Sequence, residues 1–155
     1  MTFRITGLSP EPFRLLFGLS DKALARHGAR RYVADRKPGF PDRIELRDAE
    51  PGETVLLLGW THQGADTPYR ASHAIFVLEG ATAAYDRMGE IPAPMLCRPI
   101  SLRAFDAAHM MVDADLAEGA DVERLIDRLL ARAEVAYLQA HYAKRGCYAA
   151  RVERG

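Results

Sequence analysis

Short stretches in which apolar and polar residues alternate occur along most of the chain, and this pattern predicts β-strands. The most apolar stretch, residues 54–60, is a nearly continuous run that is typical of a central strand covered on both faces. Further strands are predicted at 3–6, 31–35, 72–78, 98–105 and 110–116, with a brief pairing segment at 43–46. Because turns separate most neighbouring strands, we expect a largely antiparallel sheet.

One amphipathic helix is predicted over about 121–133, with Asp121 as its N-cap. Its apolar residues recur at helical spacing and form one stripe: Val122, Leu125, Ile126, Leu129, Leu130 and Ala133. Short N-terminal helices are predicted after Ser9-Pro10 and between Ser20 and Gly28. We also expect a helical segment over 81–88 and loops over 37–42 and 61–71. Together these elements predict an α+β fold in a single domain that spans residues 1–155.

The chain ends in a predicted hairpin of strands 135–142 and 147–153, and the length of its loop sets the register. A three-residue loop at 144–146 would place Gly146 in the left-handed conformation and would be followed by a bulge. We favour this loop because glycine falls where the left-handed conformation is needed. A four-residue loop is the alternative, and it changes which faces meet.

The three-residue loop would place His141 opposite Ala149 and Gln139 opposite Arg151. His141, Cys147 and Arg151 would then share one surface. With the four-residue loop, the polar residues of the two strands fall on opposite faces. The register therefore decides whether the hairpin carries one site.

On a shared face, Arg151 would bind a carboxylate or phosphate through paired hydrogen bonds. His141 would be a proton carrier, and Cys147 would be a nucleophile if neighbouring cations stabilised its thiolate. Gln139 and Tyr148 are further candidates for ligand binding in the same hairpin. In the structural alternative, Cys147 belongs to the core and Arg151 pairs with an acid such as Asp113.

A second candidate site is the polar stretch that leaves the central strand and returns before 72–78. Scaffolds commonly carry binding groups on such loops. Its candidates for binding an anionic or hydrogen-bonding ligand are His62, Tyr69, Arg70 and Ser72. Loops of this composition also occur without a function, so both interpretations stay open.

The composition restricts the classes of partner. The chain has 21 Lys and Arg against 21 Asp and Glu, so we expect neither a nucleic-acid nor a membrane partner. Residues 22–47 contain eight Lys or Arg and also Asp35, Asp42 and Glu45, so we interpret the stretch mostly as a solvated face. The N-terminus lacks the apolar core of a signal peptide, and no run approaches the ~20 apolar residues of a membrane helix. The two cysteines lack metal or CxxC spacing, which favours reduced thiols and a cytoplasmic location.

We expect neither a metal nor a cofactor. The histidines have no paired spacing such as HxH or HExxH, and there is no P-loop and no GxGxxG motif.

Six segments resemble, in order, those of a bacterial family of about 150 residues that is known only as a domain of unknown function. They read FRITGL, KPGFP, PYRAS, SLRAFD, MMVDA and GCYAAR. The resemblance spans nearly the whole chain and implies no activity, cofactor or catalytic residue. Asp42, His73 and His109 depart from the family's pattern, which carries a cysteine at the first position and glycine at the other two.

The leading functional hypothesis is a cytoplasmic protein that binds a small polar or anionic molecule near the C-terminal hairpin. One alternative is a Cys/His-dependent hydrolase or acyl-transfer enzyme. Another is a non-catalytic interaction protein that self-associates, for which a homo-oligomer is possible without being indicated by the sequence.

Overall fold

The computed structural model describes residues 2–155, which contain nine strands in two antiparallel sheets. In chain order the strands are β1 (Phe3–Thr6), β2 (Arg30–Val33), β3 (Thr54–Gln63), β4 (Ala71–Leu78), β5 (Asp86–Met88), β6 (Ile100–Phe105), β7 (Met111–Ala117), β8 (Tyr137–Tyr142) and β9 (Cys147–Arg154). Six of them form the larger sheet in the order β5-β1-β9-β8-β6-β7. The other three form a sheet in the order β2-β3-β4. The predicted α+β class and antiparallel pairing are confirmed.

The helices are few and short. They are α1 (Asp21–Arg26), α2 (Ala93–Leu96) and α3 (Val122–Leu130), with 3₁₀ segments at Glu11–Leu16 and Gly119–Asp121. The apolar stripe predicted for α3 is buried from Val122 to Leu130, but Ala133 lies beyond the helix and is exposed. Asp121 stands at the N-cap position without a capping hydrogen bond, because the preceding 3₁₀ turn gives it a helical conformation. No helix within residues 2–155 has the length and apolar character needed to cross a membrane.

The larger sheet lies between α3 and the smaller sheet. The side chains of β8 contact α3 on one face and the smaller sheet on the other. Leu138, Ala140 and Tyr142 belong to the core formed with α3. Gln139, on the other side, exchanges hydrogen bonds with His62 of β3. A second core lies around the smaller sheet and the N-terminal helices, and Tyr148 of β9 is part of it. The two faces of β8 and β9 therefore have different environments.

Two predicted segments have a different structure. The prediction of a helix over 81–88 is wrong, because Asp86–Met88 forms β5, which pairs with β1 at the edge of the larger sheet. Arg4 of β1 donates two hydrogen bonds to the Asp86 carboxylate, at 2.7 and 2.5 Å, and these hold the short edge strand. The loop expected over 61–71 begins later, because β3 continues through a bulge to Gln63.

The register of the final hairpin differs from the favoured prediction. The loop has four residues, since Tyr142 pairs with Cys147 and His141 pairs with Tyr148. An extra residue on β9, Ala149, then shifts the register. Beyond this bulge Gln139 opposes Arg151, as the three-residue loop would also have placed them. The bulge thus lies inside the strand and not at the turn.

Candidate functional site

His62, Gln139 and His141 meet between the two sheets. The Gln139 side-chain amide donates to the His62 carbonyl at 2.8 Å, and its Oε1 lies 3.0 Å from His62 Nδ1 and 3.2 Å from His141 Nε2. The other nitrogen of His141, Nδ1, lies 3.0 Å from the Gly146 carbonyl. His141 is thus placed between two acceptors, and each neutral tautomer can donate to only one of them.

Burial controls the charge of both histidines. It lowers the pKa of His141 to about 3, and the nearby charge of Arg103 acts in the same direction. Burial also lowers the pKa of His62, and the hydrogen bond to Gln139 opposes that effect in part. Both imidazoles are therefore neutral at neutral pH, and the cluster is a buried polar contact between the sheets.

Tyr148 and Arg151 lie beside this cluster on β9. The Tyr148 ring stacks on His62, with centroids 5.9 Å apart. The Arg151 guanidinium lies 3.9 Å from the centroid of the Tyr137 ring and donates to Glu153 at 2.6 Å. Arg151 therefore pairs with an acid, as the structural alternative expected, but the acid is Glu153. Asp113, the example given, pairs with Arg132 at 2.7 Å.

The remaining candidates from the second polar stretch do not join the cluster. Tyr69 packs edge-on against Phe105, and Arg70 donates to the Gly64 carbonyl within its own loop. Ser72 forms an exposed hydrogen bond across the strands to Thr61, at 2.8 Å. Their proposed role in ligand binding stays a prediction.

A cavity of about 510 Å³ lies at the other face of the hairpin, beside the β8–β9 turn. We call it the basic pocket, because its charged lining is Arg36, Arg43, Arg98, Lys144 and Arg145, with His73 as a further nitrogen base. Among residues 2–155, no aspartate or glutamate lines it. Of the site residues predicted from the sequence, only Cys147 lines this cavity.

Arg43 forms part of the pocket wall and is only 1% exposed. Its Nε donates to the Tyr148 carbonyl at 2.7 Å, and its Nη1 donates to the Pro41 carbonyl. Its Nη2 donates to the Cys147 sulfur at 3.0 Å. Within residues 2–155 no carboxylate accepts from this guanidinium, so its positive charge is buried without an acidic partner.

The neighbouring Asp42 holds the Arg43 loop in place. Its carboxylate is fully buried and accepts from the backbone N–H groups of Ile44, Glu45 and Leu78, at 3.1, 2.5 and 2.6 Å. Burial raises the pKa of Asp42, and these three donors oppose that effect. Because one of the donors belongs to the edge of β4, Asp42 ties the loop to the smaller sheet.

Tyr142 lies between two guanidinium groups in the pocket. The carbon atoms at the centres of Arg43 and Arg98 lie 5.1 and 5.2 Å from the centroid of its ring. Burial raises the pKa of Tyr142 to about 12, so its hydroxyl is protonated at neutral pH. Arg98 donates two hydrogen bonds to the Asp48 carboxylate, from Nη2 at 2.6 Å and from Nη1 at 3.0 Å.

The β8–β9 turn carries the outer cations of the pocket. Lys144 and Arg145 are exposed at the turn, and His73 Nε2 of β4 lies 3.0 Å from the Arg145 carbonyl. This contact joins the turn to the smaller sheet. It also places the two exposed cationic side chains at the rim of a cavity whose wall includes Arg43 and Tyr142.

Cys147 and His141 lie on opposite faces of the sheet, because Cys147 pairs with Tyr142 and His141 pairs with Tyr148. The predicted shared surface of His141, Cys147 and Arg151 is therefore wrong. Sequence reasoning missed Arg43, since its position among the basic residues of 22–47 resembles a solvated face. The nearest signal was the apolar context of Ile44 and Leu46 on either side of Glu45, which indicates a partly buried segment.

No group of three or more His, Cys, Asp or Glu side chains in the described chain is arranged to hold a metal ion. The pocket's own donors are mostly cationic, which suits an anion and not a metal ion.

Comparisons with known proteins identify a family of unknown function. No curated protein matches the chain, and no solved structure matches it. A family model described as "Protein of unknown function (DUF1203)" matches residues 39–154, which confirms the resemblance seen in the sequence. The matched range contains Arg43, Arg98 and the whole β8–β9 hairpin, and the chain belongs to this family of unknown function.

Proposed function

We propose that the protein binds a small anionic molecule, with a carboxylate or phosphate group, in the basic pocket. The observation that carries this proposal is a cavity of about 510 Å³. Among residues 2–155, the charged side chains that line it are all arginine or lysine. Its volume lies within the range of about 300–1,000 Å³ that is common for small-molecule sites. In a partly enclosed cavity, an anion also gains more from nearby cations than it would in water.

The lining offers three kinds of contact to such a ligand. Lys144 and Arg145 are exposed cations at the rim and can attract an anion. Arg98 is a planar cation whose orientation is fixed by paired hydrogen bonds to the Asp48 carboxylate. The Tyr142 hydroxyl makes no hydrogen bond within residues 2–155 and can donate to an anion.

Calorimetric titration with pyrophosphate and with citrate, at constant ionic strength, tests the proposal. The two probes separate a preference for phosphate from a preference for carboxylate. We expect saturable binding of at least one of them, with one molecule per chain. The double variant K144Q/R145Q should lose about tenfold in affinity, because two cations leave the rim of the pocket.

The matched control is K22Q/R26Q, which removes the same charge from exposed positions of α1 away from the pocket. This variant should bind as the wild type does. An equal loss in both double variants would mean that only the overall charge matters. Absence of saturable binding of either probe would refute the proposal.

We further infer a cytoplasmic location, because Cys97 and Cys147 are free thiols and the sequence has no oxidising-compartment cysteine pattern. Cell fractionation tests this inference, and recovery from a secreted fraction would contradict it. A Cys/His-dependent hydrolase gains no support from the geometry, because His141 faces away from Cys147. Self-association stays a prediction.

A further inference from the structure

We propose that Cys147 is a covalent reaction site in the basic pocket, where Arg43 holds it as a thiolate that exchanges with a small anionic disulfide. The choice of an anionic disulfide rests on the proposed anion binding. The thiolate does not rest on it, because we infer it from the contact between Arg43 and Cys147. The two parts can therefore fail separately.

The first step of the argument is the charge of Arg43. An arginine is effectively always protonated, and burying its charge without an opposite charge is unfavourable. Arg43 is 1% exposed, and two of its three hydrogen-bonded contacts are neutral carbonyl groups. The remaining contact is the Cys147 sulfur, at 3.0 Å.

The second step is that other ionisable neighbours do not supply the negative charge. Tyr142 lies against the same guanidinium, but burial raises its pKa to about 12 and keeps it neutral. The Asp42 carboxylate accepts from three backbone N–H groups instead of from Arg43. Cys147 is therefore the group in hydrogen-bonding contact with Arg43 that can become an anion.

The third step is access. Cys147 is largely buried, but it lines the cavity together with Arg43, Lys144 and Arg145. A ligand bound among these cations is thus beside the sulfur. Cys147 belongs to the core formed with α3, as the structural alternative expected. Unlike a cysteine with apolar neighbours alone, it also contacts a guanidinium and lines a basic cavity.

The reaction is a thiol–disulfide exchange without net oxidation. The Cys147 thiolate attacks one sulfur of the disulfide R–S–S–R, and a new bond forms between Cys147 and that sulfur. The original S–S bond breaks, and its electron pair leaves with the other sulfur as R–S⁻. Basic side chains at the rim favour both the entry of an anionic R group and the negative charge on the leaving sulfur.

The thiolate is tested by ultraviolet absorbance at about 240 nm, where thiolates absorb and thiols do not. At neutral pH, Cys97→Ser should show an absorbance that Cys97→Ser/Cys147→Ser lacks. Unfolding in denaturant at the same pH should abolish most of the difference, because the contact with Arg43 is lost. If the two proteins have the same absorbance when folded, the thiolate is refuted.

Arg43→Gln in the Cys97→Ser background should remove the same absorbance while Cys147 remains. If this variant folds and keeps the signal, Arg43 is not the partner and the inference fails. If it does not fold, the comparison between the two cysteine variants still decides the question.

The covalent step is tested with two small disulfides of opposite charge, dithiodiglycolate and cystamine, and intact-protein mass spectrometry. In Cys97→Ser, we expect the anionic disulfide to modify Cys147 about tenfold faster than the cationic one. In the same variant unfolded by denaturant, the charge preference at Cys147 should be weaker, because the cations of the pocket no longer surround the sulfur. Adding K144Q/R145Q should reduce the preference at Cys147.

The outcomes separate the two proposals. A thiolate signal with rapid exchange but no preference for the anionic disulfide would refute anion selection in the pocket and leave the thiolate in place. Pyrophosphate or citrate binding without a thiolate signal would leave the proposed function in place and refute this inference. Failure of both disulfides to modify folded Cys147 would refute the covalent site.

Discussion

Two adjacent buried charges, Asp42 and Arg43, determine the chemistry of this molecule at the scale of single residues. Asp42 is stabilised by three backbone N–H donors, which is a structural role. Arg43 instead directs one N–H at a cysteine in a cavity. A buried charge must be compensated by partners, and on our proposal the contact of Arg43 with Cys147 is the one that serves a function.

His141 should make the stability of the protein depend on pH. Its pKa falls from an ordinary value of 6.5 to about 3 through burial, so the unfolded chain binds more protons between these values. The free energy of unfolding should therefore be highest above pH 6.5 and should fall as the pH decreases. The His141 contribution should be a loss of about 2 kcal/mol between about pH 7.5 and pH 5, since one pKa unit corresponds to about 1.4 kcal/mol.

Urea unfolding of His141→Gln and of the wild type at the two pH values measures this contribution. The variant should lose about 2 kcal/mol less on acidification, whatever its stability at neutral pH. His27→Gln, at the exposed end of α1, is the control for replacing one histidine elsewhere in the chain. Identical pH dependence in His141→Gln and wild type would contradict the assignment.

The sequence predicted part of the residue chemistry. Gln139, His141 and His62 were all candidates, and they do meet, because two of them alternate on one strand. The contact between Arg43 and Cys147 joins residues 104 positions apart, and no local pattern carries it. A single sequence shows that a cysteine is present, but not which cation the fold brings to it.

At the scale of elements, the β8–β9 hairpin shows how a local rule can succeed and fail within a few residues. The rule for Gly146 was correct in placing it in the left-handed conformation, with φ at 77°. The rule for loop length failed, because the loop has four residues and the bulge lies at Ala149. Packing of Tyr148 against the smaller sheet favours this register, and such packing is not visible in the hairpin's own sequence.

The start of α3 depends on a glycine without space for a side chain. A Cβ at Gly119 would lie 2.0 Å from the carbonyl oxygen of Leu96, which is backbone and cannot move aside cheaply. Gly119→Ala should therefore push the 3₁₀ turn away from α2 and lower the free energy of unfolding by about 2 kcal/mol or more. Chemical denaturation measures this loss.

The control is Gly59→Ala in β3, where a Cβ meets no atom within 4 Å. This variant should be neutral or slightly more stable, because alanine restricts the unfolded chain more than glycine does. If Gly119→Ala were as stable as Gly59→Ala, the close packing of the 3₁₀ turn on α2 would be wrong.

For the whole molecule, equal numbers of acidic and basic residues hide a local asymmetry of charge. The sequence has 21 of each, and yet the charged lining of the basic pocket is cationic. Many other arginines are neutralised in pairs, such as Arg31 with Glu79 and Arg47 with Glu53. Composition therefore excluded a strong overall field correctly, but it could not locate the pocket.

The layer arrangement explains why the class was predictable and the site was not. Alternating strands and one amphipathic helix are local patterns, and they predict an α+β fold directly. The division into two sheets follows from long-range pairing, which brings the edge of β4 next to the Asp42–Arg43 loop and the β8–β9 turn. The basic pocket lies where these three segments meet.

The central claim is that the anion binds in the basic pocket and not at the His62–Gln139–Arg151 side of the hairpin. The most direct test is an NMR titration of the labelled protein with pyrophosphate or citrate, at constant ionic strength. We predict saturable shifts of the backbone amides around Arg43, Arg98 and Cys147, and little change at His62 and Gln139. Shifts centred on His62, Gln139 and Arg151, or shifts that never saturate, would contradict the account.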